Sequence, residues 1–355
     1  MSLEELRKRI DELDAGIIQF LAERIKISEQ IGSEKREQGK QIEDSEREKS
    51  VLEHVIRLAQ QEKISPEDVE SLYKQIITIS KRVQGASVAF QGEIGAYSEE
   101  AAYQFFGTSI LLKPCESLEN VFKAVEKDEV QFGVVPVENS LEGSISQSYD
   151  LLLDSSLKVC GEIELRVVHC LIGMPESRLD SIKKVYSHPQ ALGQCKTFLR
   201  HLGCELIPTY DTAGSVKLIK EKGSPDSGAI ASARAAEIYG MKILVREIED
   251  NPNNFTRFFI LSKHDSPRTG NDKTSIVFSV KHKPGALYQS LKELATRKIN
   301  LTKIESRPTR RKAWEYNFYL DFEGHREDAI CREALENLEN TSLFVKVLGS
   351  YPKAK

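Results

Sequence analysis

The chain has 355 residues, 50 Lys and Arg against 54 Asp and Glu, a formal net charge of −4 and 40% hydrophobic residues, enough for two or three domains that each bury a core. Near-balanced charge excludes the broad cationic field that a nucleic-acid-coating or membrane-surface protein needs. No apolar run approaches the ~20 residues that cross a bilayer, and Met1–Ile10 is too charged for a secretory leader, so a cytoplasmic protein with no nucleic-acid and no membrane partner is expected.

Charge is distributed unevenly: residues 1–84, 85–264 and 265–355 carry −3, −6 and +5. The first block has one Pro, three Gly and only Phe20 and Tyr73 as aromatics, the profile of long helices. Leu3, Leu6, Ile10, Leu13, Ile17, Phe20, Leu21, Ile25 and Ile31 recur at helical spacing. Gly39-Lys40-Gln41 interrupts, residues 51–58 mark a second helix, and Ser65-Pro66-Glu67-Asp68 caps and opens a third. Three helices of unequal length cannot cover the stripe of the longest, so a homodimer or higher homo-oligomer is expected.

Gln84-Gly85-Ala86-Ser87 reads as a linker. From Val88, short β-rich runs (88–91, 131–135, 184–187, 205–208, 228–231) alternate with helical stretches, an α/β pattern. The strand-like run 158–172 predicts a crossing between two α/β lobes. Residues 266–272 form a second linker by turn chemistry. After it the order is strand (275–281), helix (285–297), strands (301–306 and 314–322), helix (328–339) and strand (343–348), the βαββαβ order of a ferredoxin-like α+β unit. The six cysteines, Cys115, Cys160, Cys170, Cys195, Cys204 and Cys331, lack metal-ligand and C-x-x-C spacing, so reduced thiols and no metal are expected.

From residue types alone, the helical charges would be a solvated face with i,i+4 pairs. Leu6-Arg7, Leu21-Ala22-Glu23-Arg24, Ile31-Gly32-Ser33-Glu34-Lys35, Asp44-Ser45-Glu46-Arg47-Glu48, Ser80 and Gln84 nevertheless resemble, across residues 1–84, the all-helical class of chorismate mutase. That resemblance implies that Arg7 (reaching across a dimer), Arg24 and Arg47 hold carboxylates and that Lys35 and Gln84 face the ether oxygen. Asp44 and Glu48 would meet the hydroxyl end, and Ser80 would add a hydrogen bond. A pericyclic rearrangement of a dianion needs no nucleophile, only clamping and donors where charge develops.

Gly92-Glu93-Ile94-Gly95-Ala96-Tyr97-Ser98 lacks the spacing of a dinucleotide or phosphate loop. Together with Pro136-Val137-Glu138-Asn139-Ser140, Ser187-His188-Pro189-Gln190-Ala191-Leu192, Asp211-Thr212-Ala213 and Asn254-Phe255-Thr256-Arg257-Phe258 it resembles the ordered motifs of prephenate dehydratase over residues 87–264. The resemblance implies that Thr256 donates to the departing hydroxyl and Arg257 meets a substrate carboxylate, with Ser98, Asn139, Ser140, Gln190 and Thr212 lining the cleft. His188 is either a proton donor or a structural turn residue.

Pro284-Gly285-Ala286-Leu287 and Glu305-Ser306-Arg307-Pro308 resemble the regulatory ACT domain of the same dehydratases, here residues 273–350, implying L-phenylalanine as an effector held by Gly285, Ala286, Leu287, Glu305, Ser306, Arg307 and Pro308. Arg310, Arg311 and Lys312 read as a solvated turn. The resulting expectation is a cofactor-free, multidomain enzyme acting on chorismate and then prephenate: an all-α mutase domain, a two-lobed α/β dehydratase domain and the ACT domain. Competing readings are a dehydratase with a non-catalytic helical module, an amino-acid sensor, and a dehydrogenase fusion, the last disfavoured by the absent dinucleotide fingerprint.

Overall fold

The computed structural model describes residues 2–37, 45–108, 110–309 and 314–354. Asp44, the Gly39-Lys40-Gln41 interruption and Arg310, Arg311 and Lys312 lie outside the described residues, as does the side chain of Gln84. The chain divides into two compact units, Met1–Ser87 with Phe106–Leu111, and Val88–Phe105 with Leu112–Lys355.

The first unit consists mainly of α1 (Leu3–Glu37), α2 (Ser45–Gln61) and α3 (Pro66–Gln84). The Ser65 hydroxyl accepts from the Asp68 N–H at 3.3 Å, and Pro66 stands at the first helical position, so the third helix begins where its cap chemistry places it. α3 packs on both α1 and α2, burying Ser28, Val55, Ala59, Ile77 and Ser80. The N-terminal half of α1 is different: Leu3, Leu6, Ile10, Leu13, Ile17 and Phe20 are all exposed, Phe20 at 73%.

The second unit begins with a lobe built from β1 (Ser87–Gln91), α4 (Tyr97–Phe106), β2 (Leu111–Cys115), α5 (Leu118–Glu126), β3 (Phe132–Asn139), β4 (Gly143–Ser144), α6 (Ser146–Asp154) and β5 (Lys158–Arg166). The next lobe holds β6 (Cys170–Gly173), β7 (Lys184–Ser187), α7 (Pro189–Gln194), α8 (Lys196–Leu202), β8 (Glu205–Pro208), α9 (Thr212–Lys222), β9 (Ser227–Ala231), α10 (Ala233–Tyr239) and β10 (Lys242–Val245). The chain then returns to the first sheet as β11 (Phe255–Ser262). Strand orders are β2-β1-β3-β11-β5, with β4 on β3, and β10-β6-β9-β7-β8.

The run expected as one strand over 158–172 is split between the two sheets. It breaks because the Val167 N–H donates to the Asn254 carbonyl at 2.8 Å and the His169 N–H to Glu249 at 3.0 Å, tying the outward crossing to the returning one. β11 was foreseen only as a motif. Its Phe258-Phe259-Ile260-Leu261 run is apolar on both faces because the strand is buried between β3 and β5, so alternation is absent.

The C-terminal elements are β12 (Asp272–Ser279), α11 (Ala286–Ala295), β13 (Leu301–Pro308), β14 (Tyr316–Glu323), α12 (Ala329–Thr341) and β15 (Phe344–Pro352). They form an antiparallel sheet of order β13-β14-β12-β15, a ferredoxin-like arrangement. Asp272, expected in the linker, is instead the first residue of β12. One face of this sheet packs Ile276, Phe278, Leu320 and Phe322 against Leu294, Leu335 and Leu338 of the two helices. The other face places Val277, Tyr319, Leu348 and Tyr351 in one core with Tyr149, Val159 and Phe259 of the first lobe. β15 crosses β5 so closely that a Cβ at Gly349 would stand 2.0 Å from the Val159 carbonyl oxygen.

All six cysteines are free thiols. Among the described residues no helix is long and apolar enough to cross a membrane, and no group of three His, Cys, Asp or Glu could hold a metal ion.

Candidate active sites

In the helical unit, α3 brings Ser80 beside Arg24, whose guanidinium donates to the Ser80 hydroxyl. Ser80 in turn donates to the Ile76 carbonyl at 2.9 Å, so the serine is held and the arginine is steered by it. Arg7 is 17 residues before Arg24 on the same helix, about 25 Å along the axis at 1.5 Å per residue. The two cannot grip one small molecule from a single chain. Lys35 and Glu48 are half-buried and Arg47 is exposed.

In the second unit, a cavity of ≈ 740 Å³ is lined by Tyr97, Ser98, His188, Asp211 and Thr212 among others. Ser98 and Thr212, both expected in the cleft, are here. The N-terminal ends of α4, α7 and α9 all reach this cavity, and helix N-termini offer unpaired N–H groups and positive potential to an anion. Asp211 caps α9, accepting from the Gly214 N–H at 3.0 Å, and burial raises its pKa. His188 caps α7 through Nδ1, which accepts from the Gln190 N–H at 3.3 Å. Its Nδ1 therefore serves the fold, and the half-buried Gln190 contributes its backbone to that cap.

The remaining expected residues gather at the crossings between the lobes. Asn139 is 3% exposed, and its Oδ1 accepts from the N–H groups of Leu141 and Glu142 at 3.0 and 3.2 Å. Its Nδ2 must therefore be the donor, to Asn254 Oδ1 at 2.8 Å and to Thr256 Oγ1 at 3.1 Å. The direction propagates. Asn254 Nδ2 donates to Gln194 Oε1 at 2.8 Å, Gln194 Nε2 donates to Glu142 at 3.1 Å, and Gln194 Oε1 also faces His169 Nε2 at 2.9 Å. His169 thus carries its proton on Nε2, leaving Nδ1 3.0 Å from the Tyr97 hydroxyl of the cavity wall. Ser140 closes the same corner, donating to the Asn253 carbonyl and accepting from the Phe255 N–H.

Burial lowers the His169 pKa and raises that of Tyr97, which keeps both neutral. Tyr97, His169, Gln194 and Asn254 were not named from sequence as site residues. Their only signal was polarity within or between the motifs, and their partners lie 25 to 115 residues away.

Residues 6–85 match the family described as chorismate mutase type II, and residues 88–266 the family described as prephenate dehydratase. The bifunctional chorismate mutase/prephenate dehydratase of Aquifex aeolicus (strain VF5) is 40% identical over 361 residues, covering 99% of this chain and 98% of that protein. The chain belongs to this bifunctional family. Two solved structures are similar over 75% of this chain with a TM-score of 0.70: GqqA, described as a novel type of quorum quenching acylase, at 36% identity and 97% of its length, and the prephenate dehydratase of Arthrobacter aurescens with L-Phe, at 31% identity and 90% of its length.

The enzyme is thus both an isomerase, converting chorismate to prephenate, and a lyase acting on prephenate. For the lyase, the Asn139 contact has a chemical consequence. Because Thr256 Oγ1 accepts from an amide that can only donate, its own proton is left to point elsewhere. A hydroxyl so held is a hydrogen-bond donor of set direction, which suits a departing hydroxide.

Arg257 does not fit the substrate-carboxylate role expected for it. Adjacent strand residues face opposite ways, and Arg257 is turned from Thr256 into the contact with the C-terminal sheet. There it meets Asp321 at 2.8 Å, Glu138 at 3.2 Å and Glu162 at 3.4 Å. Burial is the largest influence and would lower its pKa, but Asp321 and the other groups around it together outweigh burial and hold the guanidinium charged. Its charge is matched by carboxylates of its own chain.

The expected effector residues are also divided. Ser306 and Pro308 are exposed, whereas Glu305 and Arg307 turn toward the first lobe, Glu305 accepting from Ser144 and Arg307 meeting Asp150 at 3.3 Å. Gly285 caps α11 at φ +77°, a conformation that favours glycine. Leu287 packs against the core of the C-terminal unit.

Proposed function

We propose that the enzyme performs consecutive steps toward L-phenylalanine, chorismate to prephenate in the helical unit and prephenate to phenylpyruvate at the cleft, and that L-phenylalanine inhibits it through a C-terminal ACT domain. The polar chain from the Tyr97 wall of the cavity to Thr256 carries the dehydratase assignment, because it turns the Thr256 proton away from Asn139. Loss of CO₂ and hydroxide together aromatises the ring, so the protein needs chiefly to orient a dianion and assist departure of hydroxide. Helix N-termini would receive the carboxylates, and Ser98 and Thr212 would hold the ring.

In the mutase, Arg24 and Arg47 would clamp carboxylates with Arg7 from a second protomer, and Lys35 and Gln84 would meet the ether oxygen. The exposed apolar half of α1 supports a homodimer, and the distance from Arg7 to Arg24 requires one if both act on one substrate. The effector assignment rests on the exposed Ser306-Pro308 side of β13, the Gly285 turn opening α11, and L-Phe in the Arthrobacter aurescens relative. We read residues 1–84, 87–264 and 273–350 as the three domains. A coupled assay from chorismate to phenylpyruvate, with and without L-phenylalanine, tests the whole: chorismate consumption without phenylpyruvate, or no response to L-phenylalanine, refutes the corresponding part.

A further inference from the structure

We propose that Lys303 is the residue through which an effector on the C-terminal domain reaches the dehydratase site. The inference deepens the feedback reading above and rests on it. β13 is the edge strand of its sheet, hydrogen-bonded to β14, and it has two faces of different chemistry. Ser306 and Pro308 look outward. Lys303, Glu305 and Arg307 look inward at the first lobe.

The Lys303 side chain is 9% exposed and is shared among three groups: Glu138 at 3.0 Å, Ser144 at 2.6 Å and Glu305 at 3.4 Å. Its ammonium also lies 5.1 Å from the centre of the Tyr149 ring. Glu138 then contacts Arg257 at 3.2 Å. The strand register makes this contact relevant to the site, because β3 and β11 pair Glu138 with Arg257 and Asn139 with Thr256 as consecutive cross-strand pairs. One pair faces the C-terminal sheet and the next carries the Asn139–Thr256 hydrogen bond. A shift of the β3 backbone at Glu138 would therefore be passed to Asn139, the residue that orients the Thr256 proton.

Arg257–Asp321 and the shared core anchor the two sheets, whereas β13 pairs with another strand along one edge only and meets the first lobe through the polar contacts of Lys303, Glu305 and Arg307, so it is the strand that would shift. A ligand that grips Ser306, Pro308 and the start of α11 pulls on this strand, and Lys303 must then divide itself differently between Glu305 of the effector motif and Glu138 of the dehydratase. Those two divisions are the states that a regulatory ligand needs to distinguish.

The test uses the full chain with Lys303→Met, which keeps the stem and removes the charge. Prephenate turnover with and without L-phenylalanine is measured beside calorimetric binding of L-phenylalanine. K303M is expected to keep basal turnover and L-phenylalanine affinity within about threefold of wild type while inhibition at saturation shrinks below about twofold. To the extent that inhibition acts on prephenate affinity, reciprocity requires that prephenate also cease to weaken L-phenylalanine binding in the variant. Lys303→Arg should restore part of the response.

Wild-type inhibition in K303M overturns the inference, and so does loss of L-phenylalanine binding itself. If K303M does not fold, Ser144→Ala decides, since it loosens the same junction without leaving a buried charge. A wild-type inhibition curve in S144A then overturns the inference, and a weakened one supports it. An unresponsive wild-type enzyme would refute the feedback reading and the inference together, whereas a responsive wild type with an equally responsive variant refutes the inference alone.

Discussion

Asn139 Nδ2 donates to Thr256 Oγ1 at 3.1 Å, and the amide cannot be reversed because its oxygen already accepts from the backbone N–H groups of Leu141 and Glu142. In Asn139→Asp the carboxylate still caps those N–H groups but has no proton to give, so the Thr256 hydroxyl turns its own proton inward. Dehydratase kcat should fall about 100-fold, with KM changed less than about threefold. Thr256→Ala should abolish dehydratase turnover. Mutase turnover should be untouched in both variants, and a chorismate disappearance assay on the same preparations checks that the loss is not misfolding.

His169 predicts an acid limit. Burial lowers its folded-state pKa, so between that value and the ordinary imidazole value of about 6.5 the unfolded chain binds more protons than the native one. Stability is therefore full above about 6.5 and is lost as pH falls through the folded value. Urea midpoints of the dehydratase transition, measured from about pH 8 to about pH 5, should decline on the acid side. His169→Gln should flatten that decline.

Gly349→Ala places a methyl group where β15 crosses the Val159 carbonyl. The neighbour is backbone, which cannot rotate away, so the variant should lose about 1–3 kcal/mol or more, the range for overpacking. Chemical denaturation followed by tyrosine fluorescence checks it, and mutase activity should persist in the undenatured protein.

On α1, Ile10→Glu or Ile17→Glu puts a charge on an exposed apolar stripe. Sedimentation should show the proposed homo-oligomer weakened, and mutase turnover should fall with it if Arg7 acts across the interface. Lys35→Ala should instead leave assembly intact and lower mutase kcat by about 100-fold or more, with substrate affinity much less affected.

Much of this protein was readable from local chemistry. The apolar stripe of α1, the Ser65-Pro66 helix start and the βαββαβ order depend on near neighbours in the chain. The division of labour between Thr256 and Arg257 was not readable. Side by side in one motif, they looked like joint substrate ligands, yet strand alternation sends one toward Asn139 and the other toward Asp321. Glu305 and Ser306 were separated in the same way.

Alternation says that neighbours part; which side is a cleft and which an interface depends on what packs there. β12 is buried along its whole length because helices cover one face and the first lobe covers the other, and nothing local announces the second cover. The polar chain from Tyr97 through His169, Gln194, Asn254 and Asn139 to Thr256 likewise exists only once two crossings between lobes lie side by side. Hydrogen bonds over such sequence separations are set by sheet pairing, and pairing is decided by the whole fold.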